Sequence, residues 1–276
     1  MRLAIPFLLI LVLQGSAVSQ NDPAPWTFFP DHLAFMPPVA NHEEARVGIL
    51  QEFDSPRMTV AIGNSLDAVQ FAGATDTVRF GIDFFAFALA SDYSGYRLKI
   101  GAADGFFGIH ASFHTHSPLR FRFRALHFSA HMVDGLYDQE TNAWKDGMEP
   151  FPFSRNYGEL LASWDLYPGS LTGRVYAGGS YAVVMKPSAI RRFSALAGAE
   201  VSTSGSPHLY AAYNGTLLGV PAYVWSSTVE VGVKFGTWNR RGLRIHLMYQ
   251  NGLNWFGEFY SERKEFVAIG FTFDFW

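Results

Sequence analysis

From Arg46 to the C-terminus, apolar and polar side chains alternate with a period of two, interrupted at intervals by Gly, Pro, Asn and Ser. That period puts successive side chains on opposite faces of an extended strand. In the closing stretch, Val267, Ile269, Phe271, Phe273 and Phe275 share one face, and Ala268, Gly270, Thr272 and Asp274 the other. Tyr223, Trp225, Val229, Val231, Val233 and Phe235 likewise oppose Ser226, Thr228, Glu230, Gly232 and Lys234. Leu243, Ile245, Leu247 and Tyr249 oppose Arg244, His246, Met248 and Gln250. An apolar face with aromatic ends opposite a polar face suits lipid outside and a polar lumen inside.

The pattern predicts strands at 46–53, 58–71, 77–90, 96–114, 119–132, 156–166, 172–184, 193–202, 207–214, 222–235, 243–250 and 264–275. The expected fold is all-β: one antiparallel transmembrane β-barrel of the outer-membrane type, over residues 46–276, with about 12 strands. Short connections fall near Ser117-Pro118, Pro168-Gly169, Gly205-Ser206 and Asn239 to Gly242; longer ones fall at 133–155, 185–192, 215–221 and 251–263. With both termini periplasmic, the longer set lies outside the cell. Asn214-Gly215-Thr216 reads as a turn.

The N-terminus reads differently. Arg2, the apolar run Ala4 to Leu13 and small residues at Ala17-Val18-Ser19 form a signal peptide, residues 1–19, cut before Gln20. Residues 20–45 carry Pro23, Pro25, Pro30, Pro37 and Pro38 among aromatics. Proline at that density prevents helix or central strand, so an irregular periplasmic or lumen-plugging lead-in is expected.

Composition narrows the class. Charged residues make up 16%, below the usual share for a soluble domain. A net charge of −3 leaves no basic footprint for nucleic acid. Cysteine is absent, which excludes disulfides, thiolate metal sites and a cysteine nucleophile. No cofactor is indicated. The expected location is the outer membrane of a Gram-negative bacterium after Sec-type export. The expected partners are outer-membrane lipid and the barrel assembly machinery, with a small-molecule or lipid ligand left open.

Candidate chemistry concentrates in the hairpin 107–132. His110, Ser112 and His114 share a face of its first strand, and Arg122 and Arg124 a face of its second. The phase then slips at Ala125-Leu126, so that His127, Ser129 and His131 oppose Leu126, Phe128, Ala130 and Met132. A β-bulge produces such a slip, and bulges often re-aim side chains near functional sites. The turn near Ser117 places Arg122 by Ser112 and Arg124 by His110. Three readings compete. In the first, His110, Ser112, His114, Arg122, Arg124, His131 and Asp134 form a structural lumen cluster, paired with Asp83, Glu159, Asp165, Glu200 or Glu230. In the second, Ser129 and His127 are nucleophile and base of a lipid or ester hydrolase. In the third, His110, His114, His127 and His131 bind a metal, although no spacing fixes a tetrahedral set, and no metal site is assigned.

The His127-x-Ser129 pattern is similar to the active strands of outer-membrane phospholipase A and of the lipid A deacylase. Those enzymes place the pair where lipid reaches it, whereas the pattern here aims it at the lumen unless a bulge reverses it. A broader resemblance covers most of the mature chain. Phe35-Met36-Pro37-Pro38, the run Arg122 to Asp134, and Tyr249-Gln250-Asn251-Gly252 followed by Gly257-Glu258-Phe259-Tyr260 resemble the bacterial family known as domain of unknown function 1207. Ala130 and Val133 depart from its Ser and Gly, whereas His127, Ser129, His131 and Asp134 match. The resemblance implies an outer-membrane barrel and no activity. The leading expectation for function is a non-enzymatic barrel with a polar, largely filled lumen, structural or a narrow pore, with the hydrolase as alternative.

Overall fold

A computed structural model describes residues 26–94, 97–167, 169–220 and 222–276. The signal-peptide expectation for residues 1–19 lies outside the described residues. Twelve strands close into one antiparallel barrel: β2 (Val47–Glu52), β3 (Met58–Ala72), β4 (Asp76–Ser94), β5 (Arg97–Thr115), β6 (Leu119–Met132), β9 (Phe153–Leu166), β10 (Leu171–Lys186), β11 (Phe193–Thr203), β12 (His208–Val220), β13 (Ala222–Gly236), β14 (Gly242–Leu253) and β15 (Arg263–Asp274). The short β7 (Tyr137–Asp138) and β8 (Ala143–Trp144) form a separate hairpin within the 133–152 loop. Each stave pairs with its sequence neighbour, and β15 closes on β2 with Phe271 opposite Ile49. A closed sheet leaves no unpaired edge, which is what an apolar surrounding requires of a spanning structure.

The phenylalanine face of β15 points outward: Ile269 and Phe275 are 44% and 49% exposed, while Ala268, Thr272 and Asp274 are buried. Trp276, one residue past the alternation, turns inward and is buried. The expected turn at Asn214-Gly215 is not there. Strand β12 runs on to Val220, so the long connection expected at 215–221 is also absent. Buried Asn214 bonds Thr216 and receives the Tyr176 hydroxyl, and the Trp225 indole lies across Gly215 where a side chain would stand. Glycine there admits an aromatic ring rather than a bend.

The chain reaches the barrel through β1 (Trp26–Phe28), which pairs with the last residues of β3, while β2 pairs with the first residues of the same strand. Between β1 and β2 the chain detours inside. Leu33, Ala34, Phe35, Ala40, Asn41, Glu44, Ala45 and Arg46 are all buried. Proline-rich backbone cannot join the ladder, so its polar groups bind inward-facing side chains instead. Ala34 N–H donates to Asp67, Val39 N–H to Glu200, and Arg174 donates to the Met36 and Pro37 carbonyls. The Phe35 ring lies between the guanidinium groups of Arg122 (4.9 Å) and Arg174 (5.8 Å).

The interior has two layers. Towards the end that carries the termini it is ionic. Towards the end with the long 133–152 loop it is aromatic, with Phe85, Phe106, Phe128 and Phe153 in a chain of ring contacts at 4.6, 4.2 and 4.9 Å. Phe256 and Phe259, from the β14–β15 loop, pack there too.

Candidate active site

The register on both sides of β6 runs without a break through Ala125 and Leu126. The predicted bulge is absent. What inverts the polarity is the interior itself: β6 crosses from the ionic layer into the aromatic one. Arg122 and Arg124 point inward, and so do Leu126, Phe128 and Ala130, all buried. Strict alternation then sends His127, Ser129 and His131 outward. His131 is exposed and therefore not in the lumen, and neither is Asp134, exposed in the turn after β6.

The remaining members of the expected cluster face inward. His110 is clasped between Asp67 (2.8 Å) and Asp83 (3.0 Å), opposite Arg124 in register. Ser112 is buried opposite Arg122, and His114 borders a cavity at the terminus end. Arg122 and Arg124 both reach Glu159 and Glu44. Glu159 was among the expected partners. Glu44 was not, because the lead-in carries no periodicity that places it. Asp165, Glu200 and Glu230 instead pair with Arg120, Arg174 and Arg244. The wall separates His110 and His114 from His127 and His131, so the four cannot share a metal. Among the described residues no group of acidic and histidine side chains could hold one.

On the outer face, His127 Nδ1 meets Asn156 Oδ1 at 2.5 Å, across the β6–β9 pair. An amide oxygen only accepts, so Nδ1 carries the proton and Nε2 is left with its lone pair. Phe107 of β5 packs on the other side of the imidazole, ring centroids 4.7 Å apart. The ring is thus held by an amide on one flank and an aromatic on the other. Ser129 is the next outward residue, about 7 Å along the strand. Its hydroxyl makes no hydrogen bond to protein among the described residues. Opposite Ser129 on β5 stands Gly105, where a Cβ would meet only the Ser129 hydroxyl, at 3.8 Å. The missing side chain leaves space over the hydroxyl. Ser154 stands opposite on β9, a hydroxyl donor on the other flank. Below the site, outward Phe123, Ile109 and Leu160 continue the apolar belt, each about half exposed. A nucleophile, a base with a free nitrogen, a group fixing the base's tautomer and an open slot are the elements of nucleophilic acyl transfer. Asn156, Gly105 and Ser154 were not legible in the sequence, because only register brings them to the His-x-Ser pair.

No curated protein matches the sequence. Among solved structures, the fold is similar to outer membrane phospholipase A from Escherichia coli, with a TM-score of 0.51 at 11% identity over 93% of this chain and 95% of that one. The β domain of the Bordetella autotransporter BrkA aligns with a TM-score of 0.47 at 12% identity, covering 84% and 100%. OmpT of Vibrio cholerae aligns at 0.38 and 9% identity, covering 83% and 94%. The likeness to the phospholipase shows an outer-membrane barrel fold and no more. A family model matches residues 89–275, two thirds of the chain, including the whole His127–Ser129–Asn156 face, and the chain belongs to the family described as protein of unknown function (DUF1207).

Proposed function

We propose that this barrel is an outer-membrane serine hydrolase acting on the acyl ester of a membrane lipid, with Ser129 as nucleophile, His127 as base and Asn156 orienting the base. The observation that carries the reading is the His127–Asn156 hydrogen bond on the outward face, beside Ser129. Polar side chains facing lipid are costly. A structural barrel has no use for an outward imidazole held in one tautomer. In the reaction, His127 Nε2 takes the Ser129 proton as Oγ attacks the ester carbonyl. It then returns the proton to the departing alcohol oxygen, and water hydrolyses the acyl-enzyme by the same route. In this reading the Ser154 hydroxyl, opposite Ser129 in register, donates to the oxyanion. Acyl chains lie along Phe123, Ile109 and Leu160, so lipid reaches the site laterally.

The lumen is filled in this reading, and the barrel interior is a scaffold rather than a wide pore; the buried stretch 33–46 and the aromatic layer support it. In this reading the chain is exported to the outer membrane of a Gram-negative cell, with both termini periplasmic, the 133–152 loop outside and the site in the outer leaflet. The structural-barrel reading keeps the same fold and loses only the chemistry.

The deciding experiment uses purified full-length protein in mixed micelles with a diacyl phospholipid, together with a fluorophosphonate probe. Wild type should release fatty acid and label at Ser129, and Ser129→Ala should do neither while migrating as a folded, heat-modifiable barrel. Absence of both hydrolysis and labelling in folded wild type would leave the structural reading.

A further inference from the structure

The aromatic layer does not run round the whole wall. Phe85, Phe106, Phe128 and Phe153 come from β4, β5, β6 and β9. On β10 to β14 a band of inward hydroxyls, ending in an amide, takes their place. They stand in three in-register pairs: Ser180 opposite Ser194, Thr216 opposite Ser226, and Thr228 opposite Gln250. These side chains are too small to reach His42 and Glu43 of the lead-in, and a cavity of about 50 Å³ lies between. Half-buried Asn254 and Tyr260, from the β14–β15 loop, line it as well. The cavity is inside the wall, whereas Ser129 faces outside, so it stands apart from the hydrolase reading.

The charges that line this cavity are already paired. Glu43 meets Arg155 at 3.5 Å, and Glu159 meets Arg124 at 2.8 Å. The hydroxyls are not. Ser180 and Ser194 are 9% and 7% exposed, and neither Oγ makes a hydrogen bond to protein among the described residues. Unlike the sealed Ser163 and Ser202 hydroxyls, both keep surface on the cavity. A hydroxyl taken out of bulk water needs another partner. Thr216 accepts from Asn214 Nδ2, and Ser226 accepts from the Leu253 N–H. Each still has its own proton to give. Phe128, Phe153 and Trp255 line the rest of the space with ring carbon.

We infer that this cavity is a binding site for a small uncharged polyol of the size and chemistry of glycerol. The hydroxyls of Ser180, Ser194, Thr216 and Ser226 can give and accept, and they match a ligand that does the same on successive carbons. The paired charges leave no counter-charge to draw in an ion. The rings take the carbon side of the molecule. A water needs roughly 10–15 Å³, so the space holds about three to five water-sized groups. That admits three carbinol groups and excludes a hexitol.

The test is saturation-transfer NMR on the full-length barrel in a zwitterionic detergent, titrated with glycerol. Sorbitol serves as the size control and 1-propanol as the control without adjacent hydroxyls. Glycerol alone should give a saturable signal. Ser180→Ala and Ser194→Ala should each weaken its binding by about three- to tenfold, the scale of one neutral hydrogen bond. Both should leave the ligand-free thermal midpoint where it is, because neither hydroxyl bonds the protein. Should one variant not fold, the other decides. No saturable glycerol signal in folded wild type, an equal response to either control, or unchanged affinity in the readable variants would overturn the assignment and leave a chamber for water.

Discussion

Arg124 and His127 lie three residues apart on β6 and belong to opposite sides of the barrel wall. Each meets its partner on β9 in register: Arg124 opposite Glu159 inside, His127 opposite Asn156 outside. One pair of strands thus carries a buried ion pair and an exposed hydrogen-bonded imidazole, an odd number of residues apart. The ion pair shares the register that brings Asn156 to His127.

For the proposed hydrolase, turnover should depend on Asn156 through His127. Asn156→Leu should lower kcat by roughly 10²-fold or more, because the imidazole loses the partner that sets its tautomer. The pH–rate profile should shift as well, which a purely structural loss would not produce. Combining Ser129→Ala with His127→Ala should cost no more than the worse single change, since nucleophile and base act as a unit. Additive losses would separate the two residues mechanistically.

Arg124 is fully buried and neutralises Glu159 and Glu44. Arg124→Ala leaves both acids short of a partner and should destabilise the barrel by about 3–5 kcal/mol. Arg124→Met with Glu159→Leu should recover much of that loss. Denaturant unfolding in detergent measures both, and a double variant no better than the single one would argue against the pairing.

Removing residues 31–44 should open the barrel. The deletion takes away Phe35 and Glu44 and leaves Arg122, Arg124 and Arg174 facing an emptied lumen. Planar-bilayer recording should show a conductance absent from the full chain, selective for anions. Equal conductance before and after would mean that the segment does not obstruct the lumen.

His42 links this segment to pH. Its ring stacks on Trp255 at 5.2 Å, and burial pushes its pKa down to about 4. The folded state therefore binds this proton more weakly than the unfolded chain, whose histidine titrates near 6.5. The stabilisation is complete above pH 6.5 and is lost as the pH falls from 6.5 towards 4, with a slope of at most about 1.4 kcal/mol per unit. His42→Phe should flatten that part of the stability profile. An unchanged slope would assign the pH dependence to other groups.

Gly215 should not tolerate a larger residue. The Trp225 indole occupies the place of its side chain, so Gly215→Val displaces the ring and should cost about 1–3 kcal/mol. Heat-modifiability in gels follows the effect, and Gly215→Val with Trp225→Ala should relieve it.

The alternation of side chains determined the strands, their number and the outward faces of β13, β14 and β15, because a period of two with a wholly apolar face admits one arrangement in a membrane wall. It also made the polar residues of β5 and the first half of β6 recognisable as a group. Where the period inverted at Ala125-Leu126, the sequence left two options: a bulge, or a change in what the interior contains. Alternation identifies two faces but does not say which is inside when both carry apolar residues. The tertiary structure decided that question. Phe85, Phe106 and Phe153 come from three different strands, β4, β5 and β9, and only their convergence makes the interior apolar at Leu126 and Phe128, leaving His127 and Ser129 outside. Glu44 and Asn156 escaped for a related reason. Glu44 lies 78 residues from Arg122, on a segment without periodicity, and Asn156 lies 29 residues from His127, beyond a long loop. Register across a barrel wall is set by the sum of packing on both faces, a property of the closed sheet that no single stretch of sequence contains.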